Sequence, residues 1–491
     1  MQEFGPWEPD AYLVNSASVA EASGVVPKAN SYGPLLQPAT QSLAAGTVIR
    51  GAFTARTSAN AIKIYAFSAT KAYLFAGVSS AWTDITRAAG DYTMAADDYW
   101  VVRQFGDTLI GVDGAGADVP QFIAVDAGTQ LAALAGTPPK ARAVEIIGDF
   151  VYLGNTSTAE KAIKNSARND AASWTAGSKD SDGQTFQDGG SVQGIAGYEL
   201  GGLVFQTETV RRLSLRQDAA IYETHRIDAA RGTSAPYSIV KDGSDAYYYT
   251  YNGFMKIGGD GSIANIGVNR VNDWFQENQN IARPKAIIGA LDPLVRRIFW
   301  LFATTSNASS TTLDGLLCYD IDRDRFTHAT VALTYIFTSA TAGVTLSALA
   351  ALYTTLTAVP YPFGSDVWKG GAPGIAAFDV NKKLCFLTGT PMAASVQTSG
   401  FEPVPGSRAY VNGFRLIGDA VDATGKIGGA ERPQSATMFN AAQGVNAQGR
   451  IPARISTRYA QIQVDVAAGM DWSDLQGIDF DQGDIRPDGK R

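Results

Sequence analysis

VVRQFGDTLIGVDG, residues 101–114, and AVEIIGDFVYLGN, residues 143–155, share one design: an apolar strand, a Gly-Asp turn and a second apolar strand. A two-residue turn that opens with glycine suits the twist of an antiparallel hairpin, so each stretch reads as a tight β-hairpin. Working outward, the same unit returns in GIAGYELGGLVFQTETVRRL (194–213), SIVKDGSDAYYYTYNGFMKIGG (238–259), AIIGALDPLVRRIFWLFA (286–303) and IAAFDVNKKLCFLTG (375–389). The turn markers Gly106, Gly148, Gly201, Gly243, Pro293 and Asn381 lie 42, 53, 42, 50 and 88 residues apart, the last gap being a double one. A four-stranded propeller blade takes roughly 40–50 residues, so the period predicts an all-β chain built on a β-propeller of about five to seven blades. A small antiparallel sheet cannot bury both faces alone, whereas radial stacking covers both and leaves short edges. The competing reading of the same turns is a run of unrelated hairpins in a β-sandwich.

Either side of the repeats the pattern changes. Residues 1–50 carry Pro6, Pro9, Pro27, Pro34 and Pro38 and hold no periodicity for long, which predicts an extended N-terminal arm. Its aromatic residues Phe4, Trp7, Tyr12 and Tyr32 make it an arm that docks, on its own domain or on a neighbouring subunit. The propeller is assigned to residues 51–390 and a C-terminal β-rich region to 391–491. In that region SRAYVNGFRLIGD (407–419) and ARISTRYAQIQVDVAAG (453–469) alternate like the strands of a sandwich-like cap, before a loosely held acidic tail.

The 491 residues are 45% hydrophobic and 18% charged, the latter below the roughly 25% of average soluble domains, and 51 are glycine. A net charge of −7 argues against a broad basic surface for phosphates. The N-terminal MQEFGPWEPD lacks the apolar run of a secretory signal, and the most hydrophobic region is too often interrupted by Thr, Ser and Gly to span a membrane. Cys318 and Cys385 lack zinc-site spacing and read as buried apolar residues. The two histidines, His225 and His328, form no HxH or HExxH pair, and no GxSxG elbow or P-loop occurs. YDIDRDRF (319–326) spaces Asp320, Asp322 and Asp324 like the start of a calcium loop, but Arg325 and Val331 stand where that loop needs Gly and Glu. It reads as a polar hairpin turn balanced by Arg323 and Arg325. Arg211, Arg212 and Arg216 read as solvated strand ends. No catalytic residue, metal ligand or cofactor site is nominated.

The chain resembles a family of tailed-phage virion proteins related to the tail nozzle and hub proteins of short-tailed phages. The resemblance rests on ordered strings along nearly the whole length: FGPWEPD at the start, RGAFTAR (50–56), PPKARAVEIIGDFVYLGN (138–155), VQGIAGYELGGLVFQTETVRRL (192–213), RIDAARGTSAPYSIV (226–240), NGFMKIGGDGSIANIGVNRVNDWF (252–275), LLCYDIDRDRFTHA (316–329) and DVWKGGAPGIAAFDVNKKLCFLTG (366–389). It implies a propeller-bearing structural subunit of the virion, assembled in the host cytoplasm into a ring, commonly a homo-hexamer. That ring would sit below the head-to-tail adaptor, touch other tail proteins, and let double-stranded DNA pass without sequence-specific binding. It implies no enzymatic activity and supplies no catalytic residues. The alternatives are a receptor- or glycan-binding propeller of the tail tip and a propeller glycoside hydrolase.

Residues 326–365 contain no Asp, Glu, Lys or Arg and fall in the double-length gap between markers. Leu346, Leu349, Tyr353 and Leu356 recur at helical spacing within it, which predicts a short inserted helix with one apolar stripe. That stripe covers a sheet edge of its own subunit or packs on the adjacent one. With Phe4 and Trp7, these four residues are the candidate subunit contacts.

Overall fold

The computed structural model describes residues 2–11, 15–77, 80–215, 222–227, 231–341, 343, 346–353, 355, 359, 371, 373–433 and 435–488. Strands dominate: among the described residues the helical elements are the short α-helices Asn272–Asn278 and Leu346–Leu352 and the 3-10 turn Pro236–Ser238. The chain is all-β, and its larger part is a β-propeller of four-stranded antiparallel sheets.

Five such sheets stand alone and follow one another along the chain, each a simple meander, with first strands Ile49–Arg56, Val101–Phe105, Ala141–Ile147, Val192–Tyr198 and Val240–Asp242. A sixth meander runs through Ile287–Asp292, Arg297–Phe302, Leu313–Asp320 and the first half of Arg325–Ala340. That last strand changes partner: up to Leu333 it pairs with Leu313–Asp320, and beyond a register shift at Leu333/Tyr335 it pairs with Pro373–Asp379. Its second half therefore opens another four-stranded run, continued by Pro373–Asp379 and Leu384–Pro391 and completed by Leu36–Thr40 from the N-terminal segment. Thr338 and Ser339 seat this half-strand between the first strands of the sixth and first sheets. Thr338 Oγ1 donates to the Leu291 carbonyl (2.6 Å) and accepts from the Leu291 N–H (3.1 Å), while the Thr54 and Ser339 hydroxyls meet at 2.6 Å.

The hairpins form where the sequence places them. Phe105 pairs with Thr108 across Gly106-Asp107, and Ile147 with Phe150 across Gly148-Asp149. Gly106 (φ +57°) and Gly148 (φ +54°) occupy the left-handed region that a residue with a side chain enters at a cost. Each sheet is apolar on both faces because both are covered. Phe67, Tyr92 and Trp100 fill the space between the first two sheets, Ile147, Tyr152 and Val204 that between the third and fourth, and Phe75, Phe337 and Phe386 that between the last and the first.

The cap is a two-sheet sandwich. One sheet orders Val25–Pro27, Tyr32–Pro34, Leu475–Asp479, Ala409–Gly418 and Arg450–Thr457; the other continues from the propeller through Val19–Ser23, Ala394–Thr398, Tyr459–Val466 and Thr424–Ala430. Phe414, Ile451, Leu475 and Ile478 of the first bury against Val396, Ile427, Ile462 and Val464 of the second.

Two sequence expectations need correction. The N-terminal segment is not a separate arm: it supplies strands to both cap sheets and one to the propeller, and so takes the first of its two expected courses, across its own chain. The uncharged stretch is not wholly an insertion. Residues 326–340 belong to a propeller strand most of whose side chains are buried, with Thr330, Ala332 and Thr338 exposed, and among the described residues the expected helix spans Leu346–Leu352.

Candidate functional site: the propeller axis

The first strands of successive sheets line the axis and border an open-mouthed cavity of about 530 Å³. A side cavity of about 80 Å³ lies against Gln193–Ala196 of the fourth sheet. Towards the ends where these strands begin, the lining is aromatic. Tyr99 packs against Tyr237 (5.0 Å between rings) and Tyr335 (5.9 Å), and the Tyr237 hydroxyl accepts from the Tyr99 N–H at 3.0 Å. Burial pushes the Tyr335 hydroxyl up to about 12, against the pull of nearby Arg103. Outside this layer, Arg283 grips Asp97 through two bonds of 2.6 and 2.9 Å, and Lys285 reaches Asp98 at 2.5 Å.

Towards the hairpin turns lies the one charged layer of both cavities: Arg103, Glu145 and Lys241. The Glu145 side chain is 1% exposed. Its Oε2 accepts from Arg103 Nε at 2.8 Å, and its Oε1 accepts from Lys241 Nζ at 3.2 Å and from the Ile146 N–H at 3.2 Å. Arg103 also donates to the Val102 carbonyl (2.8 Å), and Lys241 to the Gly197 carbonyl (2.9 Å). A carboxyl group this buried needs cations beside it, and it has two, Arg103 and Lys241. With two cations to one anion the layer carries one net positive charge. A volume of this size is that of a small-ligand pocket and far below what a nucleic-acid duplex needs.

None of the five nominated residues that are described, Phe4, Trp7, Leu346, Leu349 and Tyr353, lies on this axis. Phe4 and Trp7 are buried in the core of their own chain, at 1% and 0% exposure, so the reading of them as subunit contacts is corrected: side chains spent inside one chain have no surface for another. Trp7 meets Trp274 edge-on at 4.8 Å and lies over His328 at 4.6 Å. In the short helix, Leu349 is buried, Leu346 is 71% exposed, and the Tyr353 hydroxyl donates to the Thr40 carbonyl of the closing strand at 3.0 Å. The stripe thus divides, with Leu349 and Tyr353 covering their own subunit and Leu346 facing outward. Leu356 lies outside the described residues.

His328 sits 2.7 Å from Glu21 of the cap, and His225 lies on the surface 3.3 Å from Glu223. Asp320 is fully buried between Arg297 (2.8 Å) and Arg323 (3.0 Å). Arg325, expected to balance that turn, instead donates to the Gly5 (2.6 Å) and Lys28 (3.1 Å) carbonyls of the N-terminal segment. Arg211 is no solvated strand end: it is buried, bonded to Gln206 at 2.7 Å and stacked over Phe186. Both cysteines are buried, and burial pushes the Cys318 thiol up to about 12. Among the described residues no group of three His, Cys, Asp or Glu is placed to hold a metal ion, and no helix is long and apolar enough to cross a membrane.

Sequence reading missed the axial layer, though a signal was present. Arg103 and Glu145 each stand three residues before a turn glycine, Gly106 and Gly148, and Glu145 is the lone charge in AVEII.

No family model matches the chain, and no curated protein matches it. Among solved structures, the chain is similar to the computationally designed Ika8 protein (10% identity, 71% of this chain and 99% of that one, TM-score 0.38). It is also similar to the AfRom2 CNH domain (9% identity, 72% and 96%, TM-score 0.37) and to an exo-beta-1,3-galactanase from Phanerochaete chrysosporium (11% identity, 91% and 99%, TM-score 0.28).

Proposed function

We propose that the chain is a structural subunit of a phage tail nozzle or hub ring and not an enzyme. The observation that carries this reading is the way residues 2–11 and 15–40 are knitted into the rest: they add strands to both cap sheets and complete the last propeller sheet. Propeller and cap are thereby joined by paired backbone as well as by a shared apolar core. Such a body transmits load without hinging, as a ring under internal pressure requires. The resemblance of its ordered strings to nozzle and hub proteins points the same way. In this reading DNA passes between subunits, along the ring axis, because the axial cavity of each propeller, about 530 Å³, is far too small for a duplex. A net charge of −7 suits a wall past which DNA slides, since a basic lining would hold every phosphate.

Electron microscopy of the purified chain and of virions tests this. Rings, commonly sixfold, coaxial with the tail and with propellers around the rim, are the expected result. Single, non-contacting copies in both preparations would overturn it.

A further inference from the structure

We propose that the axial cavity binds a small organic monoanion, a carboxylate carried on a compact apolar body. The charge layer provides the first reason. Glu145 already accepts from Arg103, Lys241 and a backbone N–H, so its oxygens are satisfied and one of the two cations remains without a counter-charge in the cavity. The Arg103 and Lys241 side chains keep 32% and 43% of their surface exposed, so an anion entering the cavity reaches them directly and supplies the missing counter-charge.

Donor geometry provides the second. Arg103 uses Nε and Nη1, and Lys241 two of its three N–H groups; among the described residues no protein acceptor takes Arg103 Nη2 or the third Lys241 N–H. Both side chains line the same cavity and flank the same carboxylate. Two charge-assisted donors from neighbouring cations can hold one carboxylate.

The walls settle the rest of the ligand. Phe53, Leu291, Tyr335 and Phe337 surround the cavity, and its volume of about 530 Å³ lies within the range of small-molecule sites. A net charge of +1 matches a monoanion; inorganic phosphate, a mixture of monoanion and dianion at neutral pH, would leave the aromatic walls without a partner.

Calorimetry on the full chain with benzoate, benzamide and inorganic phosphate tests the assignment. Saturable benzoate binding is expected, with benzamide, the same ring without the charge, and phosphate each weaker by at least about tenfold, because a hydrogen bond to a charged group contributes about 1.5–3 kcal/mol. Lys241→Met and Arg103→Gln should each weaken benzoate by about tenfold or more, while Glu145→Gln, which frees both cations, should tighten it. Three results would each overturn the proposal: no saturable benzoate binding, benzamide equal to benzoate, or phosphate equal to benzoate. All three are read on the unaltered chain, so a variant that fails to fold leaves the test intact.

Discussion

Replacing Trp7 by alanine separates the two roles open to the N-terminal segment. The indole is fully buried and clusters with Trp274 (4.8 Å, edge-on) and His328 (4.6 Å) where the cap meets the propeller. Truncating a buried tryptophan costs about 3–5 kcal/mol, so a loss of about 4 kcal/mol is expected in the isolated chain. At roughly 2.1 cal/mol/K per residue, a whole-chain transition has an unfolding entropy of about 1 kcal/mol/K, and Tm should fall by about 4 °C. If the cap melted alone, with roughly a quarter of that entropy, the fall would be about four times larger. Differential scanning calorimetry therefore reports both the loss and whether the two parts unfold together. Trp7→Phe keeps most of the ring and removes an indole N–H that finds no protein acceptor, so it should cost much less. An unchanged Tm for Trp7→Ala, coupled with impaired association between chains, would refute the placement of Trp7 in its own core.

Two further perturbations have definite signs. Burial raises the Asp113 carboxyl from 3.8 to about 6, despite N–H groups from Ala117 and Asp118 that pull it down. The folded chain thus keeps a proton that the unfolded chain has lost, and this contribution to stability is complete below pH 3.8 and gone above about 6. Asp113→Asn should flatten that fall in urea melts run between pH 4 and 7.5; an unchanged pH dependence would remove Asp113 as its source. In the short helix, Leu349→Asp should destabilise the chain by about 2–5 kcal/mol or more. Leu346→Asp, at an exposed position, should shift stability by no more than about 0.5 kcal/mol. If Leu346 touches a neighbouring subunit, its charged variant will also assemble less well at unchanged Tm, as size-exclusion chromatography would show.

The hairpins were legible because a two-residue turn and its flanking strands are local: Gly106 and Gly148 fall where the backbone turns, and the 42-residue repeat between them recurs as the spacing of Arg103 and Glu145 across adjacent sheets. What was hidden is non-local. LQPAT (36–40) carries a proline and reads as loop, yet it is an edge strand, where the missing N–H of Pro38 faces no ladder partner on its open side. Pro27 and Pro34 likewise sit at strand ends. Residues 326–340 were set aside for want of charge, because nothing in the pattern marks a strand that exchanges one partner for another at Leu333. The axial layer escaped because each of its three charges looks ordinary alone, and only closure of the ring brings them to one carboxylate.

That closure rests on a weak strand held by a strong anchor. All five residues of Leu36–Thr40 are half-buried, and their pairing with Leu384–Pro391 slips register between Leu387 and Pro391, so the strand contributes little burial of its own. Directly before it, Tyr32–Pro34 is locked in the cap sheet, with the fully buried Tyr32 hydroxyl donating to the Gly5 carbonyl at 2.7 Å and the Arg325 guanidinium 4.7 Å above its ring. Arg325 in turn ties Gly5 and Lys28 to the sixth sheet. A single residue, Leu35, separates the anchored strand from the closing one, so the cap presents Leu36–Thr40 to the last sheet at a high effective concentration. The propeller can then remain shut through contacts made outside it. Weakening Tyr32, Arg325 or Trp7 should loosen the ring at Leu384–Pro391 although none of the three touches that strand, and amide exchange in Leu384–Pro391 is where the loosening would appear first.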